Sequence, residues 1–304
     1  MDILTCSILE MLKDRYIKVI GNGTFDNTQD SPYRRYYLER YSDNLLESMD
    51  QVHLEQYREG GGGELKGKMN SVRSSSALTF NIFGNRSVKV KPGALIPQGE
   101  YTLEYEKKLP ALSQPANVDA FLCGKDNNTL IFVEVKMAEW IFNCPGKLSK
   151  AYLNKERYKN AECFDAFEGI INAISKPYDV SCEGELCCVY EHYDAFQMLK
   201  HILGIYNAVK ANTWKGYDKV YLTNCLWEIK NIEYLPEGVR ADYKELYEAE
   251  YREAGLFLSQ LEPIYKLFEE AGISFKAECI SFDILFNMLD KSTEQKRKFE
   301  RYII

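Results

Sequence analysis

Two apolar runs flank a turn signal near the middle of this chain, and they constrain its fold more than any other feature. Residues 117–123 (Asn-Val-Asp-Ala-Phe-Leu-Cys) and 130–137 (Leu-Ile-Phe-Val-Glu-Val-Lys-Met) read as strands, joined by the turn Gly124-Lys-Asp-Asn-Asn128. Symmetric closure sets Cys123 opposite Leu130, Asp119 opposite Glu134 and Asn117 opposite Lys136. Residues directly across an antiparallel pair have Cβ atoms about 4.5–5.5 Å apart, so the two carboxylates repel unless something positive lies between them. The period of two puts Phe132, Glu134 and Lys136 on one face and Ile131, Val133 and Val135 on the other. A strand this apolar on both faces is expected in a covered sheet interior. A Glu and a Lys there need compensation, since burying even a neutral polar group unpaired costs about 2–7 kcal/mol. An ion pair of Lys136 with Glu134 or Asp119, exposure at a cleft, or a divalent cation would each provide it. Mg²⁺ suits such hard oxygens, because it takes one or two carboxylates, keeps waters and accepts phosphate oxygens. A nearby lysine can stabilise a hydroxide nucleophile or developing phosphoryl charge.

The spacing Glu-x-Lys also occurs at Glu64, Glu106, Glu228 and Glu294, so by itself it selects nothing. Around Glu64, Glu106 and Glu294 the sequence is polar or charged, and nothing forces burial. The serious rival is Asp218 with Glu228 and Lys230. Its intervening residues 221–227 (Tyr-Leu-Thr-Asn-Cys-Leu-Trp) hold no comparable turn, so opposed carboxylates do not follow there. The Asp119 group is preferred, with an internal ion pair as its plain structural alternative.

Around the hairpin, residues 5–20 carry Ile8, Leu9, Leu12, Tyr16 and Ile20 at helical spacing, stopped by Gly21-Asn-Gly23. Residues 31–49 are a second helix candidate, with Pro32 suited to its first turn. Within it Arg34-Arg-Tyr-Tyr-Leu-Glu-Arg-Tyr41 interleaves bases with aromatics, as a nucleic-acid face does, or a solvated helix with arginine stems over packed tyrosines. The glycine run 60–63 marks a hinge or loose loop and lacks the Lys-Ser/Thr of a phosphate loop. Further helices are expected at 71–83 (closed by Gly84), 150–175, 191–212 and 239–271, and strands at 101–105, 219–223 and 274–280. No repeat period appears. This order describes a mixed α/β sandwich around one sheet.

A length of 304 residues allows one large domain or two small ones, and 45% apolar with 27% charged residues excludes wholesale disorder. No apolar run approaches the roughly 18 residues of a membrane span. Asp2 and the lack of a basic segment before an apolar run argue against a secretory signal, so the expectation is a cytoplasmic protein with reduced cysteines. Cys182, Cys187 and Cys188, with Cys163 and His192, do not have zinc-finger spacing. His53, His192 and His201 are too few and too separated to define a catalytic dyad, and no GxSxG elbow occurs. The net charge of −7 excludes a uniformly basic nucleic-acid coat. Lys147, Lys150, Lys155, Arg157 and Lys159 form a local patch that tracks phosphates or is a solvated face.

An acid, a spacer and Glu-x-Lys on the adjoining strand resemble the core of the PD-(D/E)XK nuclease superfamily, the restriction-endonuclease-like fold. More narrowly, Ser74-Ser-Ser-Ala-Leu-Thr-Phe-Asn-Ile-Phe-Gly84, Asn117-Val-Asp119, Phe132-Val-Glu-Val-Lys-Met-Ala-Glu139 and Cys144 resemble an uncharacterised bacterial branch of it, over residues 70–225. The resemblance implies an α/β fold, a mixed central sheet flanked by helices, with helical N- and C-terminal additions. Residues 1–60 would be an N-terminal arm, 68–230 the nuclease-like core and 231–304 a C-terminal extension packed on it as one structural domain. It implies hydrolysis of phosphodiester bonds in DNA with Mg²⁺ or Mn²⁺. Asp119 and Glu134 would bind the metal, and Lys136 would position or activate the attacking water. Glu104 would join the metal shell, with Glu106 as its substitute. Gln197, which shares a helix face with Lys200, would assist the site. Ser75, Asn81, Lys147, Lys150 and Lys200 would contact nucleic acid. Glu139 is an outlying acid or a loop residue, and Val118 replaces the superfamily's proline. Expected partners are DNA, a second copy of the chain in a homodimer, and a protein that delivers the nucleic acid, with no membrane. The alternative is a catalytically silent binding or scaffold protein of the same fold.

Overall fold

The β-branched and aromatic runs on either side of the Gly124–Asn128 turn form the centre of a six-stranded sheet. The computed structural model describes residues 2–26, 33–61, 63–93, 95–112, 114–141, 146–177 and 184–304. The strands, in chain order, are β1 (Val88–Val90), β2 (Gly99–Leu109), β3 (Ala116–Gly124), β4 (Thr129–Lys136), β5 (Lys147–Ser149), β6 (Glu185–Cys187), β7 (Lys219–Leu226) and β8 (Ser274–Ser281). The main sheet runs β1-β2-β3-β4-β7-β8, antiparallel through β4 and parallel from β4 to β7 to β8, while β5 and β6 form a separate pair. The fold is thus the mixed α/β, restriction-endonuclease-like arrangement that the sequence implies. Segment 231–304 supplies β8, so it completes the sheet as well as packing on it.

Helices α1 (Ile3–Ile20), α2 (Gln51–Glu59), α3 (Ser75–Phe83), α4 (Phe164–Ile174), α5 (Ala195–Lys210), α6 (Glu237–Ser259), α7 (Glu262–Glu270), α8 (Phe282–Met288) and α9 (Thr293–Phe299) enclose it. Side-chain oxygens satisfy the orphan N–H groups at several helix starts. Asp2 accepts from Thr5 N, Ser74 from Ala77 N and Asp194 from Gln197 N. Two apolar layers result. Ile131, Val133 and Val135 pack with Leu78, Phe80 and Ile82 of α3, while Leu130 and Phe132 pack with Leu199, Ile202 and Leu203 of α5. The period-two reading of β4 holds.

Residues 33–49 are not a helix. They make two 3-10 turns (Arg34–Tyr36 and Tyr41–Asn44), and residues 31 and 32 lie outside the described residues. Tertiary partners override the local periodicity. Tyr36 is buried and donates to Glu10, Arg35 lies 2.8 Å from Glu10, and Arg40 pairs with Asp43 at 2.9 Å. These arginines and tyrosines therefore serve packing and ion pairs. Of the helix expected over 150–175 only α4 forms, preceded by 3-10 turns. The Asp218 rival separates: Asp218 precedes β7, whereas Glu228 follows it and is buried against Lys230, which also pairs with Asp283 at 2.9 Å. Among the described cysteines Cys187 is disulfide-bonded, contrary to the all-thiol expectation, while Cys6, Cys123, Cys163, Cys188, Cys225 and Cys279 are free. Cys144 and Cys182 lie outside the described residues. Among the described residues no helix is long and apolar enough to cross a membrane.

Candidate active site

β3 and β4 pair in the register that the turn dictates, with Cys123 opposite Leu130 and Ala120 opposite Val133. The ladder ends at Ala120–Val133, one pair before Asp119 and Glu134. There the Val135 N–H donates to Asp119 Oδ2 at 2.7 Å, taking a side-chain acceptor in place of a strand carbonyl. The β2–β3 ladder is interrupted at the same point. Tyr105 pairs with Ala120 and Lys107 with Val118, so Glu106 stands opposite Asp119, with φ at +51°. Both strands change face there: Leu103, Tyr105, Ala120 and Leu122 belong to the α3 layer, and Leu109, Ala116 and Val118 to the α5 layer. A left-handed φ on a glutamate costs on the order of 1–3 kcal/mol and is commonly held at functional sites. The sheet is broken where its acids meet.

Lys136 Nζ donates to Glu134 Oε1 at 2.8 Å and to Gln197 Oε1 at 2.6 Å. Gln197 Nε2 donates to the same Glu134 oxygen at 2.8 Å, and His201 Nε2 lies 3.1 Å from Glu134 Oε2. A carboxylate only accepts, so Nε2 carries the proton of that bond. Burial pushes the Glu134 carboxyl up, but Lys136, His201 and their hydrogen bonds prevail and hold it at about 2. Lys136 stays protonated because Glu134, Glu139 and Asp119 outweigh its desolvation. Asp119 goes the other way. Burial, then the charges of Glu134 and Glu106, raise its carboxyl well above the usual range, against Lys136 and the Val135 N–H. Burial, then Glu64 and Glu134, push Glu106 up to about 7.

The structure therefore joins Asp119, Glu134, Lys136 and Gln197. Glu104 instead pairs with Lys107 at 2.7 Å, its side chain 44% exposed, and Glu106 is the acid that faces Asp119. The polar sequence around Glu64 and Glu106 misled, for tertiary contacts enclose both. Glu64 accepts from Ser76 Oγ at 2.6 Å, and a Cβ on Gly60 would meet Glu106 Cβ at 2.9 Å. The glycine run thus begins with a close approach: Asn117 Nδ2 also donates to the Gly60 carbonyl at 2.6 Å. Gly62 lies outside the described residues.

Ser75 lines a cavity of about 440 Å³ with Glu64, Lys68, Arg73 and Glu139. Glu139 Oε2 accepts from the N–H groups of Met137 and Ala138, which fixes the chain just beyond Lys136. Asn81 is buried, accepting from Leu46 N and donating to Asn44 O and Tyr302 OH, so it ties chain segments together in the interior. Lys147 and Lys150 are exposed, with Lys155, Arg157 and Lys159. Lys200 is half-buried on α5 and is not among the partners of Glu134. His201 was missed, although its spacing of four from Gln197 puts both on one helix face. Glu64 pairs with Lys68 four residues on at 3.1 Å, but its enclosure comes from the more distant Ser76, which local spacing did not signal.

Asp119 and Glu134 offer the hard oxygens that Mg²⁺ and Mn²⁺ prefer. Repulsion around Asp119 is what a cation would relieve. Among the described residues no three His, Cys, Asp or Glu side chains converge on one point; two carboxylates with water and phosphate suffice for Mg²⁺. A family model described as "Restriction Endonuclease associating with ARP" matches residues 12–258. No curated protein and no solved structure gives a significant match.

Proposed function

We propose, from the premise that this chain belongs to the family of restriction endonucleases associating with ARP, that it is a metal-dependent nuclease hydrolysing phosphodiester bonds in DNA. The observation that carries this reading is the break in the sheet, where Asp119 and Glu134 lie one position beyond the end of the β3–β4 ladder, with the Lys136 ammonium 2.8 Å from Glu134. Asp119 and Glu134 would hold Mg²⁺ or Mn²⁺. That ion, when bound, polarises the phosphoryl oxygen and lowers the pKa of a coordinated water. Lys136 is protonated and so acts as a donor: it orients the attacking water and stabilises charge that develops on the phosphoryl oxygens. Gln197 and His201 hold Glu134 in one orientation. The exposed patch from Lys147 to Lys159 supplies backbone contacts on an otherwise acidic chain. The family's description states association with ARP, and that partner is carried to this chain as part of the proposal.

One observation favours a second reading, a nuclease fold used for binding alone: both Glu134 oxygens already have protein partners. Cleavage of plasmid and single-stranded DNA separates the two. With Mg²⁺ or Mn²⁺ the wild type is expected to cut, and Lys136→Ala to lose about a hundredfold or more of the rate with an unchanged circular dichroism spectrum. Equal cutting by both proteins would contradict the role of Lys136, and no cutting by the wild type with either metal would leave the binding reading standing.

A further inference from the structure

On the α6 side of Lys136 and Gln197 lies a second cavity, of about 200 Å³. Half-buried Lys136, Gln197 and His192 stand at its rim, while Trp140, Asn224 and Glu250 are buried and line its interior. Glu250 and Asn224 are 2% and 3% exposed, and neither Glu250 Oε2 nor Asn224 Oδ1 has a hydrogen-bond partner. Buried polar atoms are almost always paired. Two orphans lining one cavity mark a place made for a group that hydrogen-bonds to both.

We propose that this cavity receives an unpaired amino-bearing base of the nucleic-acid substrate, cytosine or adenine, its amino group donating to Asn224 Oδ1 and its Watson–Crick edge meeting the Glu250 carboxyl. Amide and carboxyl side chains are general readers of amino-bearing bases, and enzymes that read an unpaired base enclose it in such pockets. At about 30 Å³ per water the cavity holds roughly seven waters, room for a single base. Chemistry selects cytosine over thymine, whose carbonyl would face Asn224 Oδ1, acceptor against acceptor. Burial first, then Glu253 and Asp194, with Lys136 opposing, push the Glu250 carboxyl up to about 8. Cys279 of β8 and Tyr193 are its other titratable neighbours. At neutral pH the carboxyl is therefore protonated, able to donate to the ring nitrogen and to accept from the amino group. Trp140 Nε1 donates to the Trp227 carbonyl at 3.1 Å, and His192 Nδ1 lies 2.9 Å from the Trp140 carbonyl, which fixes both rings beside the cavity.

The proposal rests on the nuclease reading, because Lys136 and Gln197 serve both the rim and the cleavage site. Its test does not use cleavage. The full chain, kept in EDTA, is titrated calorimetrically with dCMP and dTMP at neutral pH. The wild type is expected to bind dCMP at least about tenfold more tightly than dTMP. Asn224→Ala and Glu250→Ala should lose that preference, while Glu250→Gln, whose amide also donates and accepts, should keep it. Equal affinity for the two nucleotides, no binding of dCMP at millimolar concentration, or a preference unchanged in Asn224→Ala would overturn the proposal. The wild-type comparison decides alone if a variant fails to fold. Loss of cleavage with an intact dCMP preference would instead count against the nuclease reading.

Discussion

Glu106 shows what the acidic break in the sheet costs the folded protein. Its carboxyl titrates at about 7 in the folded chain and at about 4.5 when unfolded. Between those values the folded state binds more protons, so this group's share of stability falls as pH rises through the window. Glu106→Gln removes that loss. Urea denaturation is expected to show no gain for the variant at pH 4.5 and a gain of about 1–2 kcal/mol at pH 8. His201 has the opposite sign. It pairs with Glu134 Oε2 in a buried setting, and His201→Ala leaves that oxygen unsatisfied, so a loss of about 1–3 kcal/mol is expected in the same measurement at pH 7. At this scale the sequence revealed that Asp119, Glu134 and Lys136 come together at one end of the hairpin, because register is a local property. It could not reveal the enclosure of Glu64, which accepts from Ser76 twelve residues further along the chain.

Helix α5 brings Gln197 and His201 to the sheet, and Gly204 sets how close it comes. A Cβ at Gly204 would lie 2.6 Å from Leu109 Cβ and 3.3 Å from the Leu109 backbone carbon. Replacing a helical glycine by alanine normally stabilises by about 1 kcal/mol. Here overpacking against β2 reverses the sign, and Gly204→Ala is expected to lower stability by about 1–3 kcal/mol by chemical denaturation. It should also reduce any cleavage, since Gln197 and His201 move with the helix. The elements that were legible are those whose own periodicity matches their burial, such as α1, β4 and α5. Residues 33–49 were not, because their tyrosines and leucines pack through turns against α1 and the 68–71 segment. The face change at Glu106 and Asp119 was equally hidden, since nothing in a strand pattern marks where two ladders fail together.

Across the whole molecule, one mixed sheet places its broken centre between the two apolar layers, in a chain of net charge −7. Lys147 and Lys159 are exposed. If they track phosphates, replacing both by Gln should weaken DNA binding alike for all sequences and reduce the salt slope by about 2. Fluorescence anisotropy across a salt series would read it. We propose that the Asp119–Glu134 break holds a cation, and thermal melting with and without Mn²⁺ tests this most directly, for the wild type beside Asp119→Asn. Without metal the variant is expected to melt slightly higher, because a buried repulsion has gone. With millimolar Mn²⁺ the wild type should rise by several degrees, as about 2–3 kcal/mol of linked binding requires, and the variant should not move. No rise in the wild type, or an equal rise in both proteins, would contradict the assignment.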